Sequence, residues 1–207
     1  LYLGIGRANN LLANIGPIEM DANLKKRFIA EAKFLRALFY MPLWNYFGGA
    51  PLILDAPNYL TQSDLPRNTA AELLTQILKD LDDAIAALPN TYGSGDYGRI
   101  TKGAALTLKA RIALYNKEYA LAEQAAKAVM DLNVYSLYNN YYELFTYKGE
   151  QSRNANNKET ILARVHLAEV SMHNLSREIQ VPDQEIRWNP TKSLVDAYLC
   201  SDGKPID

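Results

Sequence analysis

The 207-residue chain is long enough for one large domain or two small ones, and 48% apolar residues mark it as a sequence that folds. A formal net charge of −1 offers no attraction to a polyanion, which argues against nucleic acid as a partner. Cys200 is the only cysteine, so it can form neither an intramolecular disulfide nor a cysteine-based zinc site, and no apolar run approaches the roughly 20 residues of a membrane span.

The sequence starts at Leu1 and closes on a loop-like DGKPID, so it is expected to be a fragment of a longer protein whose targeting segment lies outside it. Tyrosine outnumbers phenylalanine 14 to 5, which calls for rings that pack while a hydroxyl reaches water or a partner. Amphipathic helix packing meets that need, and so does an aromatic ligand surface.

Five helices are expected in chain order. Leu1, Ile5, Ala8, Leu11, Leu12 and Ile15 form one helical stripe, ended by Gly16 in a left-handed conformation and by Pro17. A second helix runs from about Met20 to Phe47 on a stripe of Phe28, Ala32, Leu35, Phe39, Leu43 and Tyr46. Pro42 removes the N–H that would bond the Leu38 carbonyl, and Gly48-Gly49 stops the helix. The third carries Leu73, Leu74, Ile77, Leu81, Ile85 and Leu88. Asn68 or Thr69 caps it, Glu72 sits where a capping box needs it, and Pro89 closes it.

A glycine-rich loop, NTYGSGDYGR, leads to a fourth helix from Thr101 to about Asn116 and a fifth from about Tyr119 to Leu132. Small Ala110 and Ala122 would let these two approach, with Tyr119 plugging their turn. The unit from Thr101 to Val134 has roughly the 34-residue length of a tetratricopeptide repeat, though the usual turn glycine is missing near Lys117. Beyond it the pattern turns irregular: a tyrosine-rich stretch with one short helix, a strand over ETILARVHL, an extended REIQVP, and a short helix over Thr191–Leu199 capped by Asn189 or Thr191. The chain therefore divides into a helical scaffold, 1–134, and an irregular part of the same domain, 135–207.

No catalytic constellation emerges. His166 and His173 stand outside any metal-ligand spacing, and there is no G-x-S-x-G elbow. GSGDYGR lacks the Lys-Ser/Thr pair of a phosphate loop and follows a helix instead of a strand. Asp82 and Asp83 are adjacent, so on a helix they diverge and cannot face each other as an acid/base pair. No metal and no cofactor is implied.

Four segments, in order, resemble the SusD/RagB family. AEAKFLRALFYMPLWNYFGGAPLIL is similar to its helix, aromatic turn and F-G-G-x-P-L signature. PRNTAAELLTQILKDLDDAIAALP resembles its next helix, and GRITKGAALTLKARIALY its G-R-x-T-K segment. NPTKSLVDAYLCSDGKPID resembles its P-T-x-x-L-V-D-A-Y helix and the Asp-Gly-Lys-Pro-Ile that follows. The resemblance implies a mainly α fold of tetratricopeptide-like antiparallel helix pairs, a SusD-like α/α superhelix, with a small irregular, β-containing part. It implies a surface-exposed outer-membrane lipoprotein of Bacteroidetes-type bacteria. Such a protein has no enzymatic activity, binds a glycan or other nutrient, and serves a SusC-like TonB-dependent transporter, with the lipid anchor outside this sequence.

Sugar faces stack on flat rings while Asn, Asp or Arg bond the hydroxyls. Trp188, flanked by Arg187 and Asn189, is the leading candidate ligand contact, with Tyr147 and Asn154 of the Asn154–Asn157 loop behind it. Trp44, one turn after Tyr40, is expected to pack within the helical layer, and Glu31, Arg36, Lys102 and Arg111 are expected to make scaffold contacts. The alternative function is a tetratricopeptide-like adaptor for a peptide or protein.

Overall fold

The computed structural model describes residues 1–58, 60–96, 98–146, 158–163 and 190–198, together with Cys200 and Lys204. By internal contacts the chain divides into two units, 1–163 and 164–207. The first holds α1 (Tyr2–Asn14), α2 (Ala22–Phe47), α3 (Ala70–Ala87), α4 (Lys102–Tyr115), α5 (Tyr119–Asp131) and a single-turn α6 (Tyr141–Leu144), with a 3₁₀ turn at Ser94–Asp96. Described residues of the second unit form α7 (Lys192–Asp196).

Short polar residues start α2, α3, α4, α6 and α7 by accepting the orphan N–H groups of the first turn. Asp21 accepts from Leu24 N–H, Thr101 from Ala104 N–H, Asn140 from Glu143 N–H and Thr191 from Leu194 N–H. Thr69, not Asn68, caps α3, and Glu72 reaches back to the Thr69 N–H to complete a capping box. Those bonds hold the Glu72 carboxyl below its usual range. Asn68 instead secures the chain that follows α2. Its side chain accepts from Leu52 N–H at 2.9 Å, and its own N–H donates to the Ala50 carbonyl at 3.1 Å.

The last helix stops at Asp196, short of the expected Leu199, and the end of α1 also differs from expectation. Gly16 is not left-handed; α1 stops with Ile15 N–H bonded to the Leu11 carbonyl and with Pro17 two residues on. The left-handed residues include Gly48, at φ 69°, Lys117, at φ 63°, and Asn133, at φ 52°. Lys117 thus takes the conformation that the absent turn glycine would supply between α4 and α5. At the end of α2, the Arg67 guanidinium donates to the Phe47 and Gly49 carbonyls and offsets the negative end of that helix.

Consecutive helices pack side by side, α1 on α2, α2 on α3, α3 on α4 and α4 on α5, so the fold is a run of helix pairs. The core follows from this. Phe34, Ala37, Tyr40 and Leu43 of α2 meet Leu73, Ile77, Leu81 and Ala84 of α3, and Ala104, Ala105, Leu108 and Ile112 of α4 extend the cluster. On α2 the expected stripe is half right. Ala32 and Leu43 are buried, but Leu35 lies on the surface and Tyr46 is 77% exposed. α2 is flanked on two sides, so it buries Ala30, Phe34, Ala37 and Tyr40, a set that a single-stripe reading discards. Trp44 packs against the core, as expected. Tyr119 does not plug the α4–α5 turn, being 64% exposed, and of the expected α5 face only Ala125 is buried.

The expected strand over ETILARVHL is not found in its described portion. Residues 158–163 form bends, joined to the preceding loop by Ser136 N–H to the Lys158 carbonyl and by Tyr138 N–H to the Glu159 carboxylate. One backbone bond does not make a ladder. The rest of that stretch, and REIQVP, lie outside the described residues.

Asn9, Arg36 and Asp80 are polar yet buried. Arg36 sits between α1 and α3, with its Nε and Nη2 on the two oxygens of Asp80 at 2.7 and 2.8 Å and its Nη1 on Asn9 Oδ1 at 2.9 Å. Gln76 Nε2 adds a bond to Asp80 at 3.0 Å. Replacing Arg36 with methionine leaves Asp80 buried and uncompensated, and urea denaturation of Arg36→Met is expected to show a loss of about 3–5 kcal/mol. Arg36→Met combined with Asp80→Leu is expected to regain much of it. Equal losses in the single and double variants would mean that packing volume, not the unpaired charge, sets the cost.

Candidate ligand-binding cleft

An open cleft of about 700 Å³ lies between α1 and the chain that follows α2. One side is the face of α1 carrying Tyr2, Leu3, Gly6, Arg7 and Asn10, spaced by threes and fours. The other side is the 51–63 segment, contributing Ile53, Asp55, Pro57, Gln62 and Ser63. Pro51 and Pro57 keep that segment out of helical conformation.

Polar side chains hold the inner wall, with Asn9 and Tyr40 buried among them. Ile53 is bonded through both backbone groups: its N–H donates to Tyr40 Oη at 2.7 Å, and its carbonyl accepts from Asn9 Nδ2 at 2.8 Å and from Tyr40 Oη at 3.1 Å. Tyr2 Oη donates to the Pro51 carbonyl at 2.9 Å, with its ring edge-on to Tyr40 at 6.4 Å. Leu52 N–H is taken by Asn68. Asn9 is also the partner of Arg36, so the Arg36–Asp80 pair reaches the wall through one side chain.

Among the described residues, the outer rim is tied locally. Asn58 Oδ1 accepts from Leu60 N–H, and Gln62 accepts from Asn58 N–H while donating to the Ala56 carbonyl. Arg7 and Asp55 are exposed in this cleft, and among the described residues neither side chain has an ion pair or hydrogen bond. Burial raises the Tyr2 hydroxyl above its ordinary value and pushes Tyr40 up to about 12, so both donate as neutral phenols at physiological pH.

A separate cluster braces the other end of α2. Arg99 makes a two-point bond to Glu31 at 2.9 and 2.7 Å, which raises its pKa, and its guanidinium lies over the Phe28 ring. Tyr92 donates to the Ile100 carbonyl and to Glu31, and burial with the Glu31 charge pushes it up to about 12. Glu31 and Arg36 are therefore scaffold contacts, as expected.

The sequence-derived candidates Trp188, Arg187, Asn189, Tyr147 and Asn154 all lie outside the described residues. Sequence reading missed the cleft residues. Their one signal is the polar-aromatic face of α1, opposite its apolar stripe, followed by a proline-bounded segment with an Asn and a Gln four residues apart.

A family profile described as "Starch-binding associating with outer membrane", SusD-like, matches residues 1–114. This chain belongs to the SusD-like family. It is 34% identical over 133 residues to the starch-binding protein SusD of Bacteroides thetaiotaomicron, covering 61% of this chain and 23% of that protein. The crystal structure of a SusD-like protein from Bacteroides fragilis superposes with a TM-score of 0.83 at 29% identity, over 100% of this chain and 42% of that one. A laminarin-binding SusD-like protein superposes with a TM-score of 0.72 at 32% identity, over 80% of this chain and 36% of that one. The SusD-like chain described here thus spans less than half the length of these relatives.

Phenylalanine at position 40 would leave the Ile53 N–H without its acceptor at the cleft wall. Tyr40→Phe is expected to cost about 1–3 kcal/mol in urea denaturation. The pH dependence carries the sign. Because the folded-state pKa is raised above the ordinary 10.0 to about 12, Tyr40's stabilisation is complete below pH 10 and is lost as pH rises towards 12. Stability measured between pH 10 and 12 should fall less steeply in Tyr40→Phe than in the parent, with the share from Tyr92 remaining.

Proposed function

We propose that this SusD-like chain is part of a surface glycan-binding protein that captures oligosaccharide outside the outer membrane and passes it to a SusC-like TonB-dependent transporter. The observation that carries the reading is the starch-binding family match over residues 1–114, together with the laminarin-binding relative that shares the fold. The protein binds and releases ligand without breaking a bond. Its attachment to the membrane is through a lipid anchor beyond this sequence; among the described residues no helix is long and apolar enough to cross a membrane.

Trp188 is the proposed stacking ring, with Arg187, Asn189, Tyr147 and Asn154 as further proposed contacts to sugar hydroxyls. Stacking between an indole and the apolar face of a sugar is suited to reversible capture, because it adds contact area without locking many polar bonds.

A second reading draws on a specific surface. Met130, Leu137, Tyr141, Tyr142 and Phe145 are each more than 70% exposed, a run of apolar side chains of the kind that meets a protein partner. In that reading the helix pairs are a tetratricopeptide-like adaptor.

Calorimetric titration of the intact protein with neutral and acidic glycans separates the two. Glycan binding that weakens about tenfold or more in Trp188→Ala, with no sugar released on long incubation, is the expected result. Peptide binding without glycan affinity would favour the adaptor, and steady release of reducing ends by pure protein would make it an enzyme.

A further inference from the structure

We infer that the cleft between α1 and the 51–63 segment is a sugar subsite that takes one unit of a neutral hexose-based glycan. This rests on the glycan-binding reading above and adds a contact region, on described residues, that the Trp188 cluster does not include.

Size and surface chemistry point the same way. At about 700 Å³ the cleft falls within the usual range for small-ligand sites. Its lining is largely apolar, with Leu3, Ile5, Ile53 and Pro57 beside the Tyr2 ring. A pyranose presents just such an apolar C–H face to one side and hydroxyls around its edge. The cleft is also lined by groups that bond hydroxyls: the Arg7 guanidinium, the Asp55 carboxylate and the Asn10 amide, whose Oδ1 already accepts from Asn14.

Charge narrows the class of sugar. Arg7 and Asp55 are opposite in sign, exposed, and without a partner among the described residues. A carboxylate and a guanidinium lining the same cleft give no net attraction for an anionic sugar. Sugar hydroxyls can instead donate to Asp55 and accept from Arg7. The wall against which such a ring would lie is fixed in advance by Asn9, Tyr40 and Tyr2, so little ordering is left to be done on binding.

The test uses the intact protein and starch, laminarin, mannan and alginate as probes in calorimetric titration. Variants are Arg7→Ala, Asp55→Ala and Ser63→Trp, the last filling the mouth without removing a bonding group. These positions are exposed, so melting temperatures are expected to stay at the parent value. Each variant is expected to weaken binding of a neutral glycan about tenfold. Parent-like affinity in all three, for a glycan the parent binds, overturns the subsite and leaves the glycan-binding function standing. Binding of alginate alone overturns the neutral class. Ser63→Trp that lowers the melting temperature but not the affinity means that another segment of the protein fills the cleft, which also overturns the proposal. If the parent binds none of the probes, the functional reading fails and the subsite falls with it.

Discussion

The organisation of the first unit turns on one buried ion pair. Arg36 and Asp80 face each other with two short, parallel hydrogen bonds, and both side chains are almost wholly inside. Removing two charges from water is costly, and only a well-made pair with its remaining donors satisfied offsets that cost. Here the third guanidinium nitrogen, Nη1, donates to Asn9, and Asp80 accepts a further bond from Gln76. Such a pair contributes little net stability compared with an apolar replacement. What it fixes is register: α1, α2 and α3 can slide past one another only by breaking it.

From that pair the constraint passes outward. Asn9 is oriented by Arg36 and in turn holds the Ile53 carbonyl, while Tyr40, one helical turn from Arg36, holds both backbone groups of Ile53. An extended segment leaving a helix has unpaired backbone groups, and burying them unpaired would be costly. This segment is paired almost entirely by side chains, from Tyr2, Asn9, Tyr40 and Asn68. Gly49 belongs to the same arrangement, because a Cβ there would collide with the Asn68 carbonyl. The Gly48-Gly49 stop thus reverses the chain and lets the α3 entry lie directly against it.

Much of this was legible in the sequence, and the limits have physical causes. Helix boundaries could be read because Thr69 with Glu72, Thr101 and Pro89 carry local chemistry that needs no tertiary context. Burial on α3 was legible because that helix has one strong apolar face. Burial on α2 was not, because a helix packed on two sides has no single stripe, and its interior includes an arginine. A charged residue reads as surface until its partner 44 positions away is known. The proposed stacking cluster at Trp188 came from residue type and from family resemblance, whereas the cleft at Tyr2 and Arg7 came only from the fold, since its two sides are some 50 residues apart in sequence.

The two sides of that cleft are built differently, and the difference bears on how such a protein could change its ligand without losing its fold. The inner wall is made of backbone held in large part by the buried Asn9 and Tyr40, and altering it disturbs the core. The rim at Asp55, Asn58, Gln62 and Ser63 is tied by turn bonds within a few residues and touches the core little. Substitutions there act on the solvent side of the cleft, where the cost to folding is small. A wall tied to the core and a rim tied within itself form an arrangement in which rim substitutions can change the cleft surface while the scaffold, with the SusD-like signature in its central helix, stays the same.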